Sequence, residues 1–142
     1  MLISARAHYA SLALVELAVR SDQAAPVTVR DISDRHGVPG PFLVQILRTL
    51  RSSGWVQSVR GSQGGYLLSV EPASITLLDI ADAVGCGQDS GCSVEGKSTI
   101  ADERLQEVWD EAAEASRNVL ASVTLADMVG RSVEADAAMF YI

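Results

Sequence analysis

The sequence predicts a mainly α fold with one small β-hairpin and a long helix in its C-terminal part. Apolar residues recur at helical spacing in several segments, and two β-prone runs flank a glycine-rich turn at 61–65. With 142 residues, 48% hydrophobic and 20% charged, the chain can form a core. It is too short for two independent enzymatic domains, so we expect one compact unit with an appended element.

The first two predicted helices lie before residue 38. The first covers 4–20, and its apolar stripe consists of Tyr9, Leu12, Ala13 and Leu17. A proline-containing loop is expected over 21–27. Thr28 then begins a short second helix, because its hydroxyl can accept from the unpaired N–H groups of the first turn. Gly37 suits the left-handed end of that helix.

The third predicted helix extends over 41–53, and Gly54 ends it. Pro41 suits its first turn, where a missing N–H costs nothing. Its buried stripe consists of Leu43, Ile46, Leu47 and Leu50, and its opposite face of Val44, Gln45, Arg48, Arg51 and Ser52. Two helices joined by a tight turn, the second with a polar face, are typical of a helix-turn-helix. Any helical hairpin with a solvated second helix would show the same pattern.

A β-hairpin is predicted directly after these helices, from the runs 55–60 and 66–70. Its tip consists of Gly61, Ser62, Gln63, Gly64 and Gly65. The three glycines are expected to let the tip adopt positive φ and approach a phosphate backbone closely, with Arg60 supplying positive charge. The sequence thus predicts a winged helix-turn-helix domain over 1–75. The alternative is a plain hairpin with a flexible loop.

The segment 76–98 is predicted to be a linking helix followed by a cysteine loop. Thr76 and Asp79 have the spacing of a capping box at the start of this helix. The loop that follows contains Cys86 and Cys92 and shows neither a helix nor a strand pattern. It could enclose a ligand.

A long dimerisation helix and a tail are predicted over 99–142. The stripe of this helix consists of Leu105, Val108, Trp109, Ala112, Val119, Leu120 and Val123. A helix of about twenty residues is roughly 30 Å long, so its stripe extends beyond the winged domain. A second copy would cover it, and we therefore expect a homodimer. Thr124 and Asp127 are expected to cap one or two further turns before the apolar end.

The charge of the chain is unevenly distributed. Residues 1–70 contain seven arginines and four acidic residues, a net charge of +3. Residues 71–142 contain four basic and fourteen acidic residues, a net charge of −10. A basic segment joined to an acidic one is typical of a DNA-facing module with a separate assembly region. Ordinary surface charge would explain the same numbers.

The sequence indicates neither export nor membrane insertion. Its start has no long apolar run, and nowhere do eighteen apolar residues follow each other. Two cysteines are too few for a disulfide framework and suit a reducing compartment. We therefore expect a cytoplasmic protein without a membrane partner.

Residues 27–68 form the most informative run of the sequence, VTVRDISDRHGVPGPFLVQILRTLRSSGWVQSVRGSQGGYLL. This run closely resembles the iron-sulfur cluster regulator family of bacterial winged-helix repressors, the IscR, NsrR and CymR type. The segments HYASLALVELA, ITLLDIADAVG and TLADMV resemble the same family, so the resemblance covers nearly the whole chain. It implies a dimeric repressor that binds a near-palindromic operator. In many members an iron-sulfur cluster in the cysteine loop sets the affinity.

The resemblance implies a recognition helix at 41–53 and a DNA-contacting wing. The residues predicted to contact DNA are Thr28, Pro41, Val44, Gln45, Arg48, Arg51, Arg60, Gly61, Ser62, Gln63 and Gly64. Gln45 and Arg48 are best placed for base edges or phosphates. Pro41 stands where the family often has a small polar residue, and Val44 where it often has glutamate. The operator is therefore expected to differ, and Val44 could contact a thymine methyl.

The ligand set for a cluster departs from the family. Cluster-binding relatives usually have three cysteines; Cys86 and Cys92 match the first two, whereas Ser98 occupies the third position. A hydroxyl is a much weaker iron ligand than a thiolate, so the conventional site is excluded. In some relatives a residue of the partner's first helix completes the ligands, and here that position is His8.

Three interpretations of these residues stay open. The first is a cluster bound by Cys86, Cys92 and His8 across the dimer, with [2Fe–2S] favoured over [4Fe–4S]. The second is a thiol switch, in which the two cysteines form a disulfide. The third is a pair of inert cysteines without a cofactor.

The function predicted from the sequence is DNA-binding transcriptional regulation by a homodimer. We expect a repressor whose operator binding is switched by a redox or iron-sulfur signal at the cysteine loop. An enzyme is not expected, because no nucleophile motif or phosphate loop is present. The alternative is a winged-helix module that binds a protein partner and no metal. Two measurements would separate these functions. DNA binding should weaken steeply with salt and with loss of Arg48, Arg51 and Arg60, whereas binding of a protein partner should depend on them less.

Overall fold

The computed structural model of the protein describes residues 3–23, 25–85 and 99–140, with side chains up to residue 134. The elements in chain order are α1 Ala5–Val19, α2 Val29–His36, α3 Gly40–Ser52, β1 Val56–Val59, β2 Gly65–Leu68, α4 Leu77–Ala83, α5 Ile100–Ser122 and α6 Leu125–Phe140. Short 3-10 helices lie at Ser21–Gln23 and Pro72–Ser74. The predicted mainly helical fold with one antiparallel hairpin is confirmed.

Local capping hydrogen bonds begin the first two helices, and those that bound α2, at Thr28 and Gly37, were predicted from the sequence. The Ser4 hydroxyl accepts from the Ala7 N–H at 3.1 Å. The Thr28 hydroxyl accepts from the Asp31 N–H at 3.0 Å, and the Asp31 carboxylate accepts in return from the Thr28 N–H at 3.4 Å. Gly37 has a φ of 68°, the left-handed conformation that ends α2.

Backbone pairing stabilises β2 of the hairpin along both of its edges. β1 and β2 are antiparallel, with Val56 opposite Leu68. On the other side of β2, Val27 and Tyr66 exchange two backbone hydrogen bonds of 2.9 and 2.8 Å. The segment 21–27 is therefore more than the predicted loop, because it begins with a short helix and ends in strand pairing that braces the wing.

One core joins the N-terminal helices to the start of α6. Its fully buried apolar side chains include Ala10, Ala13, Leu14, Ile32, Leu43, Leu47, Leu50, Ile75, Ile80 and Leu125. The Leu125 N–H donates to the Ile75 carbonyl at 2.8 Å, and the Leu77 N–H donates to the Val123 carbonyl at 2.9 Å. The chain thus returns to the winged domain after α5.

The prediction of only one or two turns after Thr124 is wrong, because α6 contains 16 residues. Gly130 weakens the local helical signal, since glycine is a poor helix former. Packing overrides this signal: Leu125 is fully buried, and Val129 packs against the core. The division of the chain after residues 75 and 98 stays a prediction.

Glu16 is a buried charged residue of α1 that connects this helix to the helix-turn-helix. Its side chain has three basic neighbours: Arg20 Nε at 2.7 Å, His36 Nε2 at 2.9 Å and Arg35 Nε at 3.4 Å. Arg35 and His36 form the last turn of α2. Because a buried carboxylate is costly without partners, this cluster favours one placement of α2 against α1.

The long helix predicted from about Thr99 is α5, which has 23 residues. The Thr99 hydroxyl accepts from the Asp102 N–H at 3.2 Å and caps it. No residue of α5 is fully buried in the single chain. Its predicted apolar stripe is largely exposed, including Trp109 at 56%. Among the described residues, no helix combines the length and apolar character needed to cross a membrane.

Candidate nucleic-acid interface

The α2–α3 pair presents one face of α3 to solvent. The stripe formed by Leu43, Ile46, Leu47 and Leu50 is buried in the core. On the other side, Pro41, Gln45, Arg48 and Arg51 are exposed, whereas Val44 is half-buried. Thr28 is also half-buried, and its hydroxyl is engaged in the α2 cap. The geometry thus brings the predicted α3 residues to one surface and gives Thr28 a structural role.

The wing tip exposes the predicted residues Arg60, Gly61, Ser62 and Gln63, while Gly64 is half-buried. The positive φ expected in the tip is found at Gly61, with a φ of 121°, and not at Gly64 or Gly65. A Cβ at Gly64 would overlap the Val59 carbonyl oxygen. The absence of a side chain at Gly64 therefore allows the backbone of the tip to pass close to Val59.

A side-chain hydrogen bond joins α3 to the hairpin. Arg51 Nη1 donates to the Ser58 hydroxyl of β1 at 3.3 Å. Arg51 lies in the last turn of α3 and Ser58 lies two residues before Arg60. This contact connects the two surfaces that are predicted to contact DNA. Ser58 was not among the predicted residues.

Ion pairing separates the seven arginines of residues 1–70 into two groups. Three pair with carboxylates: Arg20 with Glu16, Arg30 with Asp34 and Arg35 with Glu16. The other four, Arg6, Arg48, Arg51 and Arg60, form no ion pair within the part of the chain that is described. Arginines without an internal counter-charge are available to an external anion such as a phosphate.

Two exposed side chains beside α3 were not predicted from the sequence. Phe42, in the first turn of α3, is 58% exposed. Arg6 Nη2 donates to the Thr49 hydroxyl of α3 at 3.0 Å. Both residues line a groove of about 210 Å³ between α1 and α3, together with Gln45. The sequence contained one signal of the exposure of Phe42, because Phe42 lies outside the apolar stripe of α3.

The structure places one of the three predicted metal ligands. His8 is exposed on α1 and lines a second groove, of about 260 Å³, with Leu77 and Ala81 of α4. Cys86 and Cys92 lie outside the described residues. Within residues 3–23, 25–85 and 99–134, no three His, Cys, Asp or Glu side chains are grouped as metal ligands. The predicted ligand set therefore stays a prediction.

A family model and several known proteins are similar to this chain. The model of the Rrf2 family, described as an iron-dependent transcriptional regulator, matches residues 3–131. The HTH-type transcriptional regulator IscR of Escherichia coli is 33% identical over 131 residues, which are 91% of this chain and 80% of IscR.

Solved structures are similar over almost the same length. The structure of T. potens IscR matches with a TM-score of 0.77 and 33% identity, over 95% of this chain and 90% of that one. CymR, described as the global cysteine regulator of B. subtilis, matches with a TM-score of 0.78 and 28% identity, over 92% and 98% of the two chains. The similarity thus includes the helix-turn-helix, the wing and α5.

Proposed function

Since the chain belongs to the Rrf2 family of DNA-binding transcriptional regulators, we propose that it is a repressor that binds a near-palindromic operator as a homodimer. Its relatives are transcriptional regulators and not enzymes, which confirms the expectation that it is no enzyme. One observation carries the proposal. Among the described residues, the three arginines predicted to contact DNA have no carboxylate partner, whereas Arg20, Arg30 and Arg35 are paired.

In this proposal α3 enters the major groove. Gln45 and Arg48 lie about one turn apart on its exposed face, and amide and guanidinium groups form the bidentate hydrogen bonds that read adenine and guanine edges. Arg51, in the last turn of α3, and Arg60, directly after β1, contact phosphates, which sets the register on the duplex. The half-buried Val44 side chain offers a thymine methyl an apolar contact.

A second copy would supply the other half of the interface. The apolar stripe of α5 is exposed in one chain, and such a stripe favours burial against an identical helix. A symmetric dimer would present two α3 helices to half-sites about one turn of DNA, roughly 34 Å, apart. Bacterial operators lie in the cytoplasm, and we place the protein there.

Binding to DNA from the protein's own upstream region tests the proposal. We expect the wild-type dimer to prefer this duplex over a scrambled one, with an affinity that falls steeply with salt. Arg48→Ala should weaken specific binding by about 1–3 kcal/mol, because it removes a base-edge contact. Arg104→Ala is the control, since Arg104 pairs with Glu107 on α5 at 3.0 Å.

Two outcomes would contradict the proposal. One is the absence of any preference for the upstream duplex at low ionic strength. The other is a shallow salt dependence that Arg48→Ala leaves unchanged. The second outcome would favour the winged-helix module that binds a protein partner.

The proposed signal is an iron-sulfur cluster, with [2Fe–2S] favoured over [4Fe–4S]. Cys86, Cys92 and His8 of a second subunit would hold it. Their donor set supports this, because thiolate and imidazole are established cluster ligands and His8 makes no side-chain hydrogen bond within the described residues. When bound, a cluster supplies one-electron redox chemistry. The family description as iron-dependent also supports it.

Anaerobic purification with a visible spectrum and iron and sulfide assays tests this signal. We expect coloured protein whose iron content falls in Cys86→Ser and in His8→Ala. Colourless, iron-free protein that still binds its operator would eliminate the cluster. A thiol switch would then be recognised by an oxidant response that Cys92→Ser abolishes.

A further inference from the structure

Arg6 is the remaining arginine of the unpaired group, and neither α3 nor the wing contains it. It is the second residue of α1, and its side chain is exposed. Its Nη2 donates to the Thr49 hydroxyl at 3.0 Å, and that hydroxyl donates to the Gln45 carbonyl at 3.2 Å. Arg6 is therefore held against the flank of α3, beside the turn that contains Gln45.

Phe42 lines the same groove as Arg6 and is likewise exposed. Its ring is 58% exposed, although the neighbouring Leu43 is fully buried. The groove between α1 and α3 thus combines an unpaired guanidinium with an open aromatic ring. A sugar–phosphate backbone fits both, because it offers an anionic oxygen to the first and an apolar sugar face to the second.

We propose that Arg6 binds a backbone phosphate at the edge of the major groove that α3 enters, and that Phe42 packs against the adjoining deoxyribose. The inference rests on the proposed function and extends it, because α1 becomes a third DNA-contacting element besides α3 and the wing. Each half-site would then meet four unpaired arginines. The position of Arg6 beside Gln45 favours DNA over a protein partner for this groove.

The salt dependence of operator binding by the full-length dimer tests the role of Arg6. Each phosphate contact contributes about 0.9 to the slope of log affinity against log salt concentration. Arg6→Ala should therefore lower the magnitude of the slope by about 1.8, since the dimer loses two contacts. The affinity should fall by the same factor on specific and scrambled duplexes, because a phosphate contact carries no sequence information.

Matched variants separate a DNA contact from a structural effect. Arg6→Lys should keep most of the slope, because it retains the charge. Thr49→Val removes only the hydroxyl that Arg6 contacts, and it should leave the slope unchanged. Arg104→Ala removes the same charge from α5 and should also leave the slope unchanged. Phe42→Ala should weaken binding several-fold without changing the slope, because it removes an apolar contact.

The possible results divide clearly. A slope in Arg6→Ala equal to that of the wild type would overturn the assignment while leaving the proposed function intact. Loss of slope in Thr49→Val equal to that in Arg6→Ala would also overturn it, since Arg6 would then act only by bracing α3. A wild-type dimer that binds no duplex would overturn both proposals.

Discussion

At the scale of single residues, the wing depends on glycines with different tasks. Gly61 needs positive φ, which side chains rarely tolerate. Gly65 faces another strand instead: a Cβ there would lie 2.6 Å from the Val27 carbonyl oxygen. The bridge between Val27 and Tyr66 requires this close approach. The tip that holds Ser62 and Gln63 is therefore braced by backbone contacts on its inner side.

Gly65→Ala should destabilise the protein. The added methyl group must displace the Val27 carbonyl and weaken the bridge to Tyr66, at a cost of about 1–3 kcal/mol in the free energy of unfolding. Gly130→Ala is the control, because Gly130 lies within α6 and a Cβ there meets nothing within 4 Å, and it should stabilise by up to about 1 kcal/mol. Urea denaturation at one fixed protein concentration measures both. Equal stability of Gly65→Ala and the wild type would refute the role of this approach.

At the scale of elements, three helices begin with the same Thr-x-x-Asp capping box. The boxes are 28–31 at α2, 76–79 at α4 and 124–127 at α6. In each, the hydroxyl accepts from the aspartate N–H, and the carboxylate accepts from the threonine N–H. This local device sets where each helix begins, and packing then decides how far it continues.

The α6 box predicts a pH effect at Asp127. Its pKa is lowered because its carboxylate accepts hydrogen bonds from the Thr124 backbone and side chain and lies near Arg131. Because the pKa of Asp127 is lower in the folded state, its ionised carboxylate stabilises the fold. This stabilisation is fully present above the ordinary aspartate pKa and is lost as the pH falls through the folded pKa. Thr124→Ala should raise the pKa of Asp127 toward its ordinary value. An NMR titration of the carboxyl carbon would show it, and an unchanged pKa would contradict it.

At the scale of the whole molecule, the two halves of the chain differ in charge and in the elements that they form. The basic front part forms the helix-turn-helix and the wing, and the acidic rear part includes α5 with its exposed apolar stripe. An acidic surface repels the negatively charged DNA backbone, so α5 is better suited to assembly than to contact with the duplex. In the proposed homodimer, binding of two half-sites would depend on how α5 joins the two copies.

Trp109→Glu should yield a monomer. The Trp109 ring is 56% exposed in one chain and central to the stripe, and a carboxylate there would be costly to bury in a dimer. Light scattering after gel filtration measures the mass, and operator binding should be lost with the second half-site. Glu114→Ala, on the opposite side of α5, should remain dimeric. A dimeric Trp109→Glu would contradict the role of the stripe.

Much of the fold could be predicted from local signals. Thr28, Gly37 and Gly54 mark helix ends through short-range hydrogen bonding and backbone conformation, which act within a few residues. The apolar stripe of α3 likewise indicated its exposed face, and with it Gln45 and Arg48. The cluster ligands Cys86 and Cys92 stay a prediction, because they lie outside the described residues.

The sequence by itself determined most of the helices and the hairpin, the uneven charge and the family resemblance. Only the tertiary structure decided which arginines form ion pairs among the described residues: Arg35 pairs with Glu16 of another helix, whereas Arg6 donates to the Thr49 hydroxyl. It also decided the exposure of Phe42 and the length of α6. The physical reason is that ion pairing and burial depend on groups brought together by packing, whereas helix ends depend on immediate neighbours.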